Sequence, residues 1–404
     1  PYDLYYLTRY LSDYREGDLN WQRLSLDNSL NELRSTPVLY LSSDQEITLT
    51  SAQKEQLKHA IELGALLVVN PENNSQSFGA SIEGLVGSMF PEYGGLKPLP
   101  DNHPIYNANV GGLNPNQVGR VMGVSNGARD LVIMAPMNRE WGMAWQSEAA
   151  RARAEYAMRC GANLFVMATD RGRIQNRLVD RIEARDREKA SATFTLTRAR
   201  YKGLWNVEPM MWEPLSTRVH NRGKLDLKTA DVDLATIGSS NAKLVHLAGS
   251  QPAQFSPQEL NAIKEYAERG GTILIENVGG RSPLFTTSVL EQLEKIMPAA
   301  RSPLSMTQQP NDPILTGEGL EGGYNCSSVN YRYFTIATTP RIGNLPGLMA
   351  IYIDRRPAII ISHYDLSLGV LDVRHWGISG YDPESARQLM TNLVLYAHKA
   401  PAPR

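Results

Sequence analysis

Residues 38–70 read VLYLSSDQEITLTSAQKEQLKHAIELGALLVVN, and residues 244–276 read LVHLAGSQPAQFSPQELNAIKEYAERGGTILIE. The second stretch is the first displaced by 206 positions without a gap: Leu41 falls on Leu247, Thr50 on Ser256, Leu57 on Ile263, Gly64 on Gly270 and Val69 on Ile275. Each copy spells strand, turn, helix, strand. Residues 38–41 are a short apolar run fit for a buried strand. Thr50 is placed to cap a helix, and Ser256-Pro257 more so, because proline suits the first helical position. Leu57, Ala60 and Ile61, like Ile263 and Ala267, fall at helical spacing. Gly64 and Gly270-Gly271 can end the helix in a left-handed conformation. The continuous apolar runs at 66–69 and 272–275 are those of strands buried on both faces, which points to parallel sheet with helical crossovers.

Further matches extend the duplication outward. YYLTRY at residues 5–10 predicts a first strand and returns as FTLTRARY at 194–201, so an LTR strand is expected to open each sheet. Helices are predicted over 81–90 and 288–297, each halted by a proline. His103-Pro104-Ile105 is matched by Asp312-Pro313-Ile314. The Gly- and Asn-rich run 107–127 predicts a loop, after which 128–134 and 356–361 predict strands and 148–168 and 383–398 closing helices. DRGRIQNRLVDRIEARDREK, residues 170–189, carries Ile174, Leu178 and Ile182 four apart and predicts a charged helix linking the halves. These readings give an α/β protein with a domain at 1–169, a linker helix at 170–192 and a domain at 193–404, each domain a mainly parallel sheet with helices on both faces.

The chain has 404 residues, 42% hydrophobic and 21% charged, with a formal net charge of −1. That charge supplies no field to gather nucleic acid or an anionic membrane. No apolar run approaches the roughly 20 residues of a membrane-spanning helix. Two cysteines, Cys160 and Cys326, lie at non-equivalent places and make no disulfide framework or zinc spacing. Pro1 is not a natural start, so an export signal or anchor ahead of it, and an extracytoplasmic location, are expectations.

With both copies in view, GALLVVN at 64–70, the NHPI element, GVSNGARDLVIMAP at 123–136 and GANLFVMA at 161–168 resemble an uncharacterised bacterial family, domain of unknown function 4159. That family is similar in fold to the class I glutamine amidotransferase-like superfamily, so the resemblance implies two tandem flavodoxin-like or amidotransferase-like domains. Enzymes of the superfamily raise a nucleophilic cysteine on a sharp turn after a strand, with a histidine and an acid after a later strand. Carried over, the turn falls on Asn70-Pro71-Glu72-Asn73 and on Glu276-Asn277-Val278-Gly279-Gly280, and neither holds a cysteine. The histidine position falls near Pro136 in the first half and on His363, with Asp365 beside it, in the second. A covalent mechanism without its nucleophile is lost, because oxyanion donors cannot replace the attacking group.

Two functions follow as expectations. One is a non-catalytic binding or scaffolding protein, a pseudoenzyme for a protein or carbohydrate ligand, able to self-associate and needing no cofactor. Its binding candidates are Asn70, Glu72, Asn73, His103 and Asn277. The other is a hydrolase of a sugar or amide bond whose second domain uses Glu276, His363 and Asp365, all just past predicted strand ends, where ligand crevices of open parallel sheets form. The aromatic run YNCSSVNYRYF, 324–334, suits a carbohydrate surface or an edge strand with alternating faces. No HExxH or strand-borne GxGxxG occurs.

Overall fold

The computed structural model describes residues 2–15, 18–34, 36–108, 112–139, 141–146, 155–170 and 183–403. Two units emerge, Pro1–Arg177 with Arg374–Gly377, and Leu178–Val373 with Ile378–Arg404. In the first, β1 (Val38–Ser43), β2 (Leu66–Pro71), β3 (Lys97–Pro98), β4 (Met122–Ser125) and β5 (Asp130–Met134) form one sheet in the order β1-β2-β5-β4-β3. β1, β2 and β5 run parallel, while β4 and β3 pair antiparallel.

The second unit contains β6 (Ala192–Arg200), β7 (Leu225–Asp233), β8 (Leu244–Gly249), β9 (Thr272–Asn277), β10 (Leu304–Ser305), β11 (Leu348–Ile353) and β12 (Arg356–Ser362), in the order β10-β11-β12-β9-β8-β6-β7. Five of these repeat the first sheet strand for strand, with β8, β9, β12, β11 and β10 in the places of β1, β2, β5, β4 and β3. β6 and β7 are additions, laid parallel on the β8 side. Both sheets are mixed: β1, β2 and β5 run parallel in the first and β12, β9, β8, β6 and β7 in the second, while the segment before the last parallel strand turns back as β4 or β11.

The repeated unit folds as its residues dictate. Thr50 and Gln53, and Ser256 and Glu259, close capping boxes at the starts of Ser51–Glu62 and Pro257–Glu268. Gly64 and Gly270 take φ of 119° and 110°, where a side chain would be strained. Alternation along each strand sends Leu67, Val69, Val132 and Met134 to one face, under Leu57, Ile61, Phe78 and Ile82 of the helices Ser51–Glu62 and Gln76–Met89. Leu66, Val68 and Ile133 go to the other, against the helices Tyr2–Arg15 and Glu155–Thr169 and the tryptophans Trp141 and Trp145. Each such large apolar side chain contributes about 1.5–3 kcal/mol by burial.

Several expectations are corrected. Residues 5–10 belong to the helix Tyr2–Arg15, not a strand. Leu7 and Leu11, one helical turn apart, bury against the cluster containing Trp145, and Leu7 seats on Gly161, so tertiary packing overrides the β-preference of the tyrosines and threonine. Only the second LTR segment, within β6, is a strand. Residues 107–127 include a short helix, Pro115–Val118, and β4 as well as loop. The helices expected at 81–90 and 288–297 start earlier, as Gln76–Met89 and Leu284–Leu293. Residues 324–334 form no edge strand: Tyr331 makes one isolated bridge, to Tyr381, and a helix, Tyr333–Thr338, follows. Of the charged linker, residues 171–182 lie outside the described residues, and 183–190 form no helix. There Glu183 and Asp186 are held by Arg218 and Lys224.

Candidate functional site

The parallel strands of the second unit end together at the carboxyl edge of the sheet, and strand alternation decides where each candidate side chain goes. Glu276, in β9, falls on the face of His246 in β8. It is wholly buried, and its Oε2 lies 2.8 Å from His246 Nε2. Oε1 accepts the backbone N–H groups of Leu366 (3.0 Å) and Ser367 (2.7 Å), and Oε2 accepts the Ser367 hydroxyl (2.9 Å). Burial works against its charge, but the His246 bond and the Ser367 donors outweigh it and hold the carboxyl below its usual range.

Asp365 is also wholly buried. Its Oδ2 accepts Gly279 N–H (2.8 Å) and its Oδ1 accepts Gly369 N–H (3.1 Å). Burial, reinforced by the Glu276 charge, pushes it up to about 7. The turn after β9 is clasped as well: Ser379 N–H donates to Gly279, Asp365 N–H donates to Ser379, and a Cβ on Gly280 (φ 55°) would lie 1.7 Å from the Ser379 carbonyl oxygen.

His363 and Asn277 have the opposite parity and lie across the sheet from Glu276. His363 is half-buried, with Nδ1 2.5 Å from Thr286 Oγ1, and burial lowers its pKa, so it is neutral at pH 7. The Thr286 hydroxyl also donates to the Pro283 carbonyl (3.1 Å). Asn277 Nδ2 donates to the carbonyls of Ser282 (2.9 Å) and His363 (3.3 Å). Among the described residues its buried Oδ1 has no partner. Glu276 and Asp365 thus converge on residues 365–369, while His363 turns to Thr286.

The first unit repeats the arrangement in neutral form. Asn70, at the position of Glu276, accepts Trp141 N–H (2.9 Å) and Gly142 N–H (3.2 Å) on Oδ1. Its Nδ2 donates to Ser42 Oγ (3.2 Å), which donates to Glu72 Oε1 (2.6 Å). Asn73 follows in the left-handed region, φ 52°. His103 accepts Ile105 N–H on Nδ1 (3.2 Å), so the Nε2 proton points to Asp130 Oδ2 at 3.1 Å. Its twin Asp312 accepts Ile314 N–H at 2.9 Å. Unlike residues therefore cap the same short helix in the two copies.

Cys160, within the helix Glu155–Thr169, and Cys326, beside Asn392, are buried, and burial pushes both thiols up to about 12. The sequence did not single out His246. Its signal was its position beside Glu276 on one face of adjacent parallel strands. His375 also escaped notice; it is counted with the first unit and donates from Nδ1 to the Trp376 carbonyl (3.1 Å). Burial lowers its pKa to about 4. Among the described residues no group of three His, Cys, Asp or Glu is set to hold a metal ion, and no helix is long and apolar enough to cross a membrane.

Fold and strand ends together define a tandem α/β protein whose strand-end polar residues bind its own backbone. Over residues 3–169 and 195–398 the chain matches the family described as domain of unknown function (DUF4159), and it belongs to that family. No curated protein matches the chain.

Proposed function

We propose that the protein is a non-catalytic binding or scaffolding protein, built from two degenerate amidotransferase-like domains and recognising a protein or carbohydrate ligand. One observation carries this reading. Asn70 and Glu276, the equivalent residues where a cysteine-bearing turn would begin, both direct their acceptor oxygens at backbone amides. The two thiols support it, since burial raises their pKa, opposite to the shift that makes a nucleophile. A thermal-shift screen of glycans and extended peptides tests it: a true ligand at a hundredfold excess over Kd stabilises the fold by about 2.7 kcal/mol.

His363 favours a second reading, a hydrolase of a sugar or amide bond working without a covalent intermediate. A half-buried imidazole whose pKa burial lowers, held through Nδ1 by Thr286, is suited to general base work. Turnover of glutamine or glycoside substrates that is lost in His363→Ala would establish this reading and overturn the first.

A further inference from the structure

Two wholly buried carboxyls meet at the strand ends of the second unit, and the chain supports them unequally. Glu276 stands opposite Ser362, the last residue of β12, and Asp365 follows three residues on. Glu276 has His246 Nε2 at 2.8 Å and three donors from Leu366 and Ser367. Asp365 has a single backbone N–H on each oxygen, from Gly279 and Gly369. Two carboxylates crowded together out of water resist double ionisation, and the proton settles on the one with fewer donors. Asp365 is therefore the proton holder, in keeping with the upward push of burial and of the Glu276 charge.

A guanidinium stands near this carboxyl without bonding to it. Arg332 is buried, its backbone N–H donates to the Gly380 carbonyl (2.9 Å), and its Nη1 donates to the Val373 carbonyl (2.6 Å). Its Nε and Nη2 are buried and have no partner among the described residues. Those two nitrogens form one edge of the guanidinium, the pair of parallel donors that takes a carboxylate bidentately. Gly380 brings the two residues together: it bridges to Asp365, and a Cβ on it would lie 2.7 Å from Asp365 Cβ. The Arg332 charge favours the ionised form of Asp365, against burial and Glu276. Neither charge state satisfies this arrangement. With Asp365 protonated, the free edge of Arg332 is stranded; with Asp365 ionised, its charge sits beside Glu276 without an ion pair.

We propose that Asp365 and Arg332 form a proton-controlled latch: the arrangement seen is its open form, and when Asp365 releases its proton the free edge of Arg332 closes on it as a bidentate ion pair. The other groups that bear on Asp365 are few. Glu276, with His246 bonded to it, lies on the sheet side. The segments 277–280, 366–370 and 379–381 packed about Asp365 carry no charged residue. Their Tyr381 keeps its proton, because burial raises its pKa well above the ordinary 10. His363 turns away to Thr286. Closure is transmitted outward, since Arg332 is the N-cap residue of the helix Tyr333–Thr338, and Thr335 Oγ1 of that helix accepts Gly380 N–H at 2.8 Å. Tyr333 and Ile336 of the same helix are exposed, so a buried proton governs the setting of an apolar surface turn. The latch works without a ligand, and its failure leaves the function proposed above standing.

A pH titration of the full chain, followed by side-chain NMR, tests it. Asp365 Cγ and Arg332 Nε should titrate with one shared midpoint, near the value of about 7 set by the surroundings of Asp365. The backbone signals of Tyr333–Thr338 should move with them. In Asp365→Asn the Arg332 signal should no longer follow pH. In Arg332→Gln the carboxyl should hold its proton at least about tenfold more tightly, read as a higher Asp365 midpoint. If a variant does not fold, the coincidence of the Asp365 and Arg332 midpoints in the parent chain decides alone. An Asp365 signal flat from about pH 5 to about 9, an Arg332 signal indifferent to the Asp365 midpoint, or an unchanged Asp365 midpoint in folded Arg332→Gln would overturn the latch.

Discussion

Asn70 and Glu276 each place an oxygen against two backbone N–H groups just beyond the last parallel strand, Trp141 and Gly142 in one copy, Leu366 and Ser367 in the other. Removing the acceptor strands two buried donors. Asn70→Ala should therefore cost about 1–3 kcal/mol, read as a lower urea midpoint with an unchanged slope. His375 sets a pH dependence in the first unit. Its folded pKa of about 4 lies below the ordinary 6.5, so the native state holds it neutral while the unfolded chain takes up a proton. Its contribution is complete above pH 6.5 and is lost as pH falls toward 4, about 3 kcal/mol in all. Urea midpoints measured from pH 7 to 4 should fall less steeply in His375→Gln than in the parent; equal slopes would refute the assignment. A thiol-specific disulfide reagent at pH 8 should leave Cys160 and Cys326 unmodified until the chain is unfolded, and rapid reaction of either would contradict their burial.

The elements most legible in the sequence are those where several local signals agree. Residues 38–70 and 244–276 carry cap, helical spacing, glycine stop and apolar strand in one order, and all four are realised. Ser256→Ala breaks the second capping box and should cost about 1 kcal/mol, measured by thermal or chemical unfolding. Where local preference and tertiary packing disagree, the reading failed. YYLTRY has the composition of a strand, yet Leu7 finds its place on Gly161, where a Cβ would lie 2.4 Å from Leu7 Cδ1. Gly161→Ala should therefore destabilise by about 1–3 kcal/mol; a neutral result would remove the packing reason for the helix. β7 was hidden by its charged residues, and β4 by the glycine and asparagine around it. Of the candidate site, the residues at strand ends were legible because position follows from strand length. Partners 30 residues away, such as His246 for Glu276, require the strand pairing to be known.

For the whole molecule, the duplication sets the plan, and the additions differentiate the copies. The first sheet has five strands, while the second has seven and a charged margin. With a net charge of −1 the chain should show no saturable, salt-dependent binding to duplex DNA or RNA in fluorescence anisotropy at low salt. Gly280 bears on the history of the second copy. Its neighbour Ser379 fills the space any side chain would need. Any codon change there would first have to displace an adjoining segment, and the intermediate would fold badly. The turn is thus mechanically latched, and variation in this copy is steered to positions whose neighbours can give way.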